Sequence, residues 1–424
     1  MKNLFFLFVI FIASGNILIA GSGDRNSDKE HTMRQLKDEV SANLTGNILP
    51  YWSSRMVDYN NGGFYGRIDG KDRVYPESEK GGILNARILW TYSAAYRIYK
   101  DTAYLRLATR AKDYILGHFM DKQNGGAFRS LTAAGDPDDV RKQVYTQSFF
   151  IYGMAEYSRA TGDKEALATA RGIFELLEKY ALDKSSNGYY EVFTRDWQRS
   201  HDLLIGEKTA GDEKTMNTHL HLMEAYSNLY RVWPDPRMKE RLRNLVNIFL
   251  DHIIDRNTSH LVCFMDGSWK RTSMIDSYGH DIESSWLLYE AAGLLKDPEL
   301  LSRVKKISIK IADAASEGLQ PDGSLVYEKD LATGHVADER SWWPQSEAIV
   351  GYLNAYEISG EAKYLDRAVK CWNYTRDHLV DNRNGGWFSS VSAEGTVGRG
   401  DKGGFWICPY HNGRMCMEVV ERVR

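Results

Sequence analysis

A short turn recurs six times along the chain, and no other feature constrains the fold as much. Asn61-Gly62-Gly63-Phe64, Asn124-Gly125-Gly126-Ala127-Phe128, Asn187-Gly188-Tyr189-Tyr190 and Asn384-Gly385-Gly386-Trp387 are full copies. Asp322-Gly323-Ser324 keeps the turn without the adjacent aromatic, and Asp255-Arg256-Asn257-Thr258, before His260-Leu261-Val262, is a degenerate copy. Counted from Asn61, Asn124, Asn187, Asn257, Asp322 and Asn384, the intervals are 63, 63, 70, 65 and 62 residues. A fixed period marks one supersecondary unit that buries its apolar face only against its neighbours. Asn-Gly and Asp-Gly favour left-handed backbone, so each copy predicts a tight β turn.

Each turn lies between two helical patterns. The preceding one is amphipathic: His31–Asp58, Ala103–Asp121, Lys164–Asp183, Pro236–Asp255, Pro298–Leu319 and Ala362–Asp381. The following one is more apolar: Ile83–Tyr99, Gln147–Thr161, His219–Val232, Asp281–Leu295, Gln345–Ser359 and Gly413–Val423. Short polar corners such as Gly162-Asp163 and Pro234-Asp235 join each unit to the next. Two helices per unit and six units predict an all-α fold, an (α/α)6 barrel with short β-hairpins in the loops entering the inner helices. A solenoid of the same period wants a polar capping repeat. Here the last unit ends on its apolar helix, which favours a closed ring, a single domain over residues 31–424.

In such a ring the loops entering the inner helices converge on one end. The polar groups at those entrances are Asn85 and Arg87; Tyr145 and Gln147; Asn217, His219, His221 and Glu224; His280 and Glu283; Trp342, Trp343, Gln345 and Glu347; and Trp406, Tyr410, His411 and Arg414. His221 with Glu224, and His280 with Glu283, have i,i+3 spacing, which places each pair on one helix face. A carboxylate beside an imidazole raises its basicity, as general-base chemistry requires. His219-x-His221 has the look of a metal pair, but i,i+2 on a helix points the rings apart, and no metal site is expected. Trp343 and Trp406, entering adjacent inner helices, are suited to stacking on the apolar face of a sugar. Gly398-Arg399-Gly400-Asp401-Lys402-Gly403 matches a dinucleotide fingerprint without the surrounding βαβ unit, and reads instead as a mobile loop beside Trp406.

The N-terminus differs from the rest. Lys2, the apolar run Leu4–Ala13 and Ala20-Gly21-Ser22 read as a secretory signal over residues 1–20, too short to span a bilayer. Export to the periplasm or medium is expected, or a cytoplasmic location if the leader is not processed. A net charge of −3 with no basic run argues against a nucleic-acid partner. The four cysteines show no C-x-x-C pair, and no structural disulfide is expected.

The entrance motifs, in chain order, are Asn85-Ala86-Arg87-Ile88-Leu89-Trp90, Tyr145-x-Gln147, Asn217-Thr218-His219-Leu220-His221-Leu222-Met223-Glu224, Gly279-His280-Asp281-Ile282-Glu283, Trp342-Trp343-Pro344-Gln345-Ser346-Glu347 and Trp406-Ile407-Cys408-Pro409-Tyr410-His411-Asn412. Together they resemble the N-acylglucosamine 2-epimerase superfamily, and within it the cellobiose (mannobiose) 2-epimerase branch. The resemblance covers residues 31–424 and implies reversible inversion at C2 of the reducing-end glucose or mannose of β-1,4-linked disaccharides such as cellobiose, mannobiose and lactose. It implies His280 and His411 as the acid/base pair, Glu283 supporting His280, and Arg87 and His221 on the O1/O2 side of an enediolate. Tyr145, Asn217, Trp343, Trp406 and Glu347 are implied to hold the sugar. The chemistry needs no cofactor, and a monomer is expected. The other readings are a glycoside hydrolase on the same barrel, using Glu224, Glu283 or Glu347, and a monosaccharide 2-epimerase or aldose–ketose isomerase.

Overall fold

The computed structural model describes residues 23–200 and 213–423, so the leader read at residues 1–20 lies outside it. The chain enters as α1 (Gly23–Asn43), runs through a π turn at Leu44–Ile48 and continues as α2 (Leu49–Arg55). Alternating helices follow: α3 (Gly82–Tyr99), α4 (Thr102–Tyr114), α5 (Val144–Thr161), α6 (Lys164–Leu176), α7 (Met216–Val232) and α8 (Pro236–Ile248). The series ends with α9 (Tyr278–Leu295), α10 (Pro298–Ala315), α11 (Trp342–Ser359), α12 (Ala362–His378) and α13 (His411–Arg422). From α3 onward each odd-numbered helix packs on the next odd one, and α13 packs back on α3. The inner ring is therefore closed, with the even-numbered helices outside it, as the (α/α)6 reading requires. Among the described residues no helix is long and apolar enough to cross a membrane.

Burial separates the two rings. In α5 residues 144–158 are all buried, whereas α4 and α6 bury about one face each. The corners supply the caps: Asp101, Asp163, Asp235 and Asp297 each accept a backbone N–H in the first turn of an outer helix. Such a cap contributes about 1 kcal/mol. Inner helices begin one to three residues earlier than their apolar pattern indicates. Their first turns carry groups aimed at a cavity rather than a core, and Gly81, Gln143, Ser277 and Ser341 give no side-chain cap to mark the start. Several outer helices also end sooner, in π turns at Ile115–Phe119, Leu177–Ala181 and Phe249–Ile253.

Each recurring turn is closed by an antiparallel bridge, for example Met120 to Ala127 and Val380 to Trp387. In five repeats an Asp ahead of the turn accepts two backbone N–H groups from it and, in four of these, a buried lysine. The pairs are Lys80–Asp58 (2.7 Å), Lys142–Asp121 (3.0 Å), Lys214–Asp183 (2.8 Å) and Lys402–Asp381 (2.8 Å). Removing one partner of such a pair costs about 3–5 kcal/mol, because the other charge is left buried. Lys402 corrects the reading of the glycine-rich segment. That segment is docked: Lys402 and Gly403 donate N–H groups to Ile68, whose own N–H bonds Gly403, and so join repeat six to repeat one. All four cysteines are buried and free.

Candidate active site

Helix geometry sorts the entrance residues into two sets. At 3.6 residues per turn, the second and sixth residues of a helix lie roughly 40° apart and the fourth faces away. The sixth residues of α3, α5, α7, α9 and α11 are Arg87, Phe149, His221, Glu283 and Glu347, which ring the barrel axis. Second residues include Tyr145, Asn217 and Trp343 at the rim. The fourth residues turn outward and hold backbone. Gln147 brackets Ala127 N and O at 2.8 Å, and Gln345 does the same to Leu325. His219 accepts from Tyr189 N at 3.0 Å, Asp281 from Leu261 N at 2.8 Å, and Asn85 donates to Gly81 O. Gln147, His219, Gln345 and Asn85 are thus fold residues, and the rings of His219 and His221 point apart as i,i+2 spacing requires.

A cavity of about 570 Å³ opens at this end, large enough for a small ligand. Arg87, Tyr145, Asn217, His221, His280, Glu283, Trp343, Trp406 and His411 line it; Glu347 lies behind His411. Sequence reading gave no role to the other lining groups, Thr215, Ser277 and Tyr327 among them. Trp343 packs against both His280 and His411, with ring centroids at 4.7 and 5.5 Å. Gly279 makes room for it, since a Cβ there would lie 2.6 Å from the indole. Trp406 is not on an inner helix. It stands in the loop before α13, 38% exposed, edge-on to Tyr145.

Beneath the cavity one guanidinium gathers three carboxylates. Arg414 bonds Glu224, Glu283 at 2.6 Å and Glu347 at 2.7 Å. Tyr410 donates to Glu224, and Trp286 Nε1 to Glu347 Oε2 at 3.1 Å. His411 Nδ1 bonds Glu347 Oε1 at 2.7 Å, and His221 Nδ1 bonds Glu224 at 2.9 Å. The expected support of His280 by Glu283 is absent. His280 Nδ1 bonds Ser277 Oγ at 2.7 Å, while Glu283, one turn deeper, is drawn to the charge of Arg414 and lies 3.9 Å from His411 Nδ1. Glu347 therefore supports His411 and does not face the ligand space. Glu283, Glu347 and His411 hold potential metal-ligating atoms within 4.8 Å of one another, and Arg414 Nη2 already bridges the two carboxylates.

Protonation follows from burial and charge. Burial drops His280 to about 3, with His221 adding to the effect. Burial, then Arg87 and Arg414, hold His411 well below the usual imidazole range, and its place at the N-terminus of α13 acts the same way. Burial also lowers His221 despite Glu224. At neutral pH all three imidazoles are free bases. Burial and then Glu347 raise Glu283 to about 8, so the cluster of three carboxylates keeps a proton. Burial alone would raise Glu224 as well, but Arg414 and His221 hold it at about 2. Arg87 is different. Its nearest partners are neutral: Tyr145 Oη at 2.8 Å, the carbonyl of Trp406 at 3.4 Å and the rings of Phe149 and Tyr410. It is a buried cation beside the cavity with no carboxylate among those partners, and so suited to an anion.

Residues 63–412 match the N-acylglucosamine 2-epimerase (GlcNAc 2-epimerase) family. A cellobiose 2-epimerase of Bacteroides fragilis is 50% identical over 386 residues, which are 91% of this chain and 98% of that protein. One from Dictyoglomus turgidum is 36% identical over 394 residues, 92% of this chain and all of that one. The solved cellobiose 2-epimerase of Bacillus thermoamylovorans superposes with a TM-score of 0.88 at 38% identity, covering 92% of this chain and 100% of the other.

Proposed function

The chain belongs to the N-acylglucosamine 2-epimerase family, and from that premise we propose that it inverts C2 of the reducing-end glucose or mannose of β-1,4-linked disaccharides, cellobiose among them. The observation that carries this reading is the pair of imidazoles, His280 and His411, presented from the helices either side of α11 to one cavity beside Arg87. A C2 hydrogen is acidic only when C1 is a carbonyl, so the pyranose opens first. One imidazole then takes the C2 proton, and Arg87 stabilises the enediolate oxygens. The other imidazole, which takes up a solvent proton as the enediolate charge develops, returns that proton to the opposite face while the first imidazolium releases its own to solvent between turnovers. Buried imidazoles resist protonation at rest, and the negative enediolate restores the donor's proton affinity. Glu347 steadies the imidazolium form of His411. His221 stands beside Arg87 on the oxygen side, with Glu224 fixing its tautomer. Trp343, Trp406, Tyr145 and Asn217 hold the sugar rings.

The carboxylates speak against hydrolysis. An inverting hydrolase sets two across the scissile bond, roughly 6.5–9.5 Å apart. Here Glu224, Glu283 and Glu347 converge on a single arginine instead. Incubation with cellobiose, followed by chromatography, tests the proposal: epimerisation yields 4-O-glucosyl-mannose without free glucose, and release of glucose would refute it.

A further inference from the structure

Repeat four inverts a charge pattern that the other repeats share. The residue two places before the inner helix is cationic elsewhere: Lys80, Lys142, Lys214 and Arg340, with Lys402 in the longer last loop. In repeat four it is Asp276. The residue after the hairpin turn, just before the bridged one, is elsewhere small: Gly63, Gly126, Gly188, Ser324 and Gly386. In repeat four it is His260, and it is buried. The fourth residue of α9 is Asp281, where α5 and α11 have glutamine. A glutamine both accepts from and donates to the hairpin backbone, as Gln147 and Gln345 do. An aspartate can only accept, so Asp281 takes Leu261 N on Oδ1 (2.8 Å) and His260 Nδ1 on Oδ2 (2.6 Å). Repeat four is also the one whose inner helix carries His280, the residue before Asp281.

We infer that His260 is a positioning residue for His280, holding the first turn of α9 against the hairpin through its 2.6 Å bond to Asp281. The bond fixes the same turn in which Ser277 Oγ meets His280 Nδ1, so a shift of Asp281 moves the imidazole that faces the C2 hydrogen. The groups facing His260 come from every side. They are Asp281 on α9, Asp276 before it (3.9 Å), Glu317 on the turn after α10 (3.5 Å) and the Tyr278 ring. Arg271 and Lys329 act on Asp276 in turn. Burial alone would lower His260, but the bond to Asp281 and the charges of Asp281, Asp276 and Glu317 hold it at about 9. Burial raises Asp281 to about 6 against the pull of His260. The bond is thus ionic between about pH 6 and about pH 9, and its contribution is lost as pH rises through the value for His260.

The inference rests on the two-histidine reading, and the variants separate the two. His260→Ser should lower kcat for cellobiose epimerisation on the order of 10- to 100-fold, the cost of a misplaced catalytic group, with KM nearly unchanged. The primary isotope effect with C2-deuterated sugar should rise in the direction where His280 removes the proton, which a loss of folded enzyme cannot produce. Wild-type kcat should fall across about pH 9. The double variant His260→Ser/Asp281→Gln copies Ser324 and Gln345 of repeat five. It should regain most of the activity and lose the fall near pH 9. A wild-type profile flat through that pH, a folded His260→Ser enzyme with unchanged kcat, or a double variant that keeps the alkaline fall would each overturn the inference. If His280→Asn abolishes turnover while the His260 variants behave as wild type, only this inference fails; if His280→Asn is active, the reading beneath it fails.

Discussion

Glu347→Gln should separate catalysis from stability at the centre of the site. The change is isosteric and removes one charge. It weakens two bonds of 2.7 Å, one from His411 Nδ1 and one from Arg414 Nη2. Arg414 keeps Glu224 and Glu283, so the helices stay anchored. His411 loses the anion that stabilises its imidazolium. A hydrogen bond to a charged group is worth about 1.5–3 kcal/mol, which lowers kcat about 10- to 150-fold at one decade per 1.36 kcal/mol. Stability should move the other way or not at all, because three carboxylates share one guanidinium and removing one relieves repulsion. The sign can be checked by pH. Burial and Glu347 raise Glu283 from 4.5 in the unfolded chain to about 8 in the folded one. The stability this provides is fully present below pH 4.5 and is lost as pH rises through about 8. In Glu347→Gln that dependence should flatten, and melting curves at pH 5 to 9 read it directly. Wild-type kcat in the variant, or a melting temperature lowered by several degrees with the pH dependence intact, would refute the assignment of Glu347 as the support of His411.

Other consequences are open to measurement. His411→Ala should abolish epimerisation while disaccharide binding, followed by calorimetry, persists through Trp343, Trp406 and Arg87; more than a few per cent of wild-type turnover would count against it. Trp406→Ala should raise KM about 2- to 12-fold, the worth of one lost stack of about 0.5–1.5 kcal/mol, with the melting temperature unchanged because the indole is partly exposed. Gly279→Ala places a methyl 2.6 Å from Trp343 and should lower kcat and tighten neither substrate nor fold; an enzyme of wild-type kcat would show that Trp343 need not pack across that position. Lys142→Met keeps Arg195 on the buried Asp121 and so should cost less than the about 3–5 kcal/mol of an uncompensated buried charge by denaturant titration, with kcat of the folded fraction preserved.

The barrel was legible because its signal is redundant: six turns with their paired helices, spaced by nearly one period. The cavity-lining residues were legible for a related reason, since an inner helix must begin where its loop delivers it. What the sequence did not separate was the inward from the outward residue of each entrance. The sorting rule, second and sixth residues inward and fourth outward, depends on where the helix starts, and every inner helix but α7, which Thr215 caps, lacks the capping side chain that would mark it. Gln147 and Gln345 therefore looked like site residues. The His280–Glu283 pairing failed for a tertiary reason. Spacing of i,i+3 permits the contact, but the charge of Arg414, 131 residues away in sequence, attracts Glu283 more strongly than a neutral imidazole does. Arg414 was visible as an entrance residue, yet nothing local shows that three helices send it their carboxylates. Lys402 was hidden inside a glycine-rich motif, and its role appears only when repeats six and one are brought together.

Epimerisation by two histidines has one direct signature. Cellobiose converted in deuterated water and analysed at low conversion by NMR and mass spectrometry should give 4-O-glucosyl-mannose carrying deuterium at C2, because the proton taken by one imidazole is not the one returned by the other. Product that retains the original C2 hydrogen in full, or free glucose in the mixture, would contradict it.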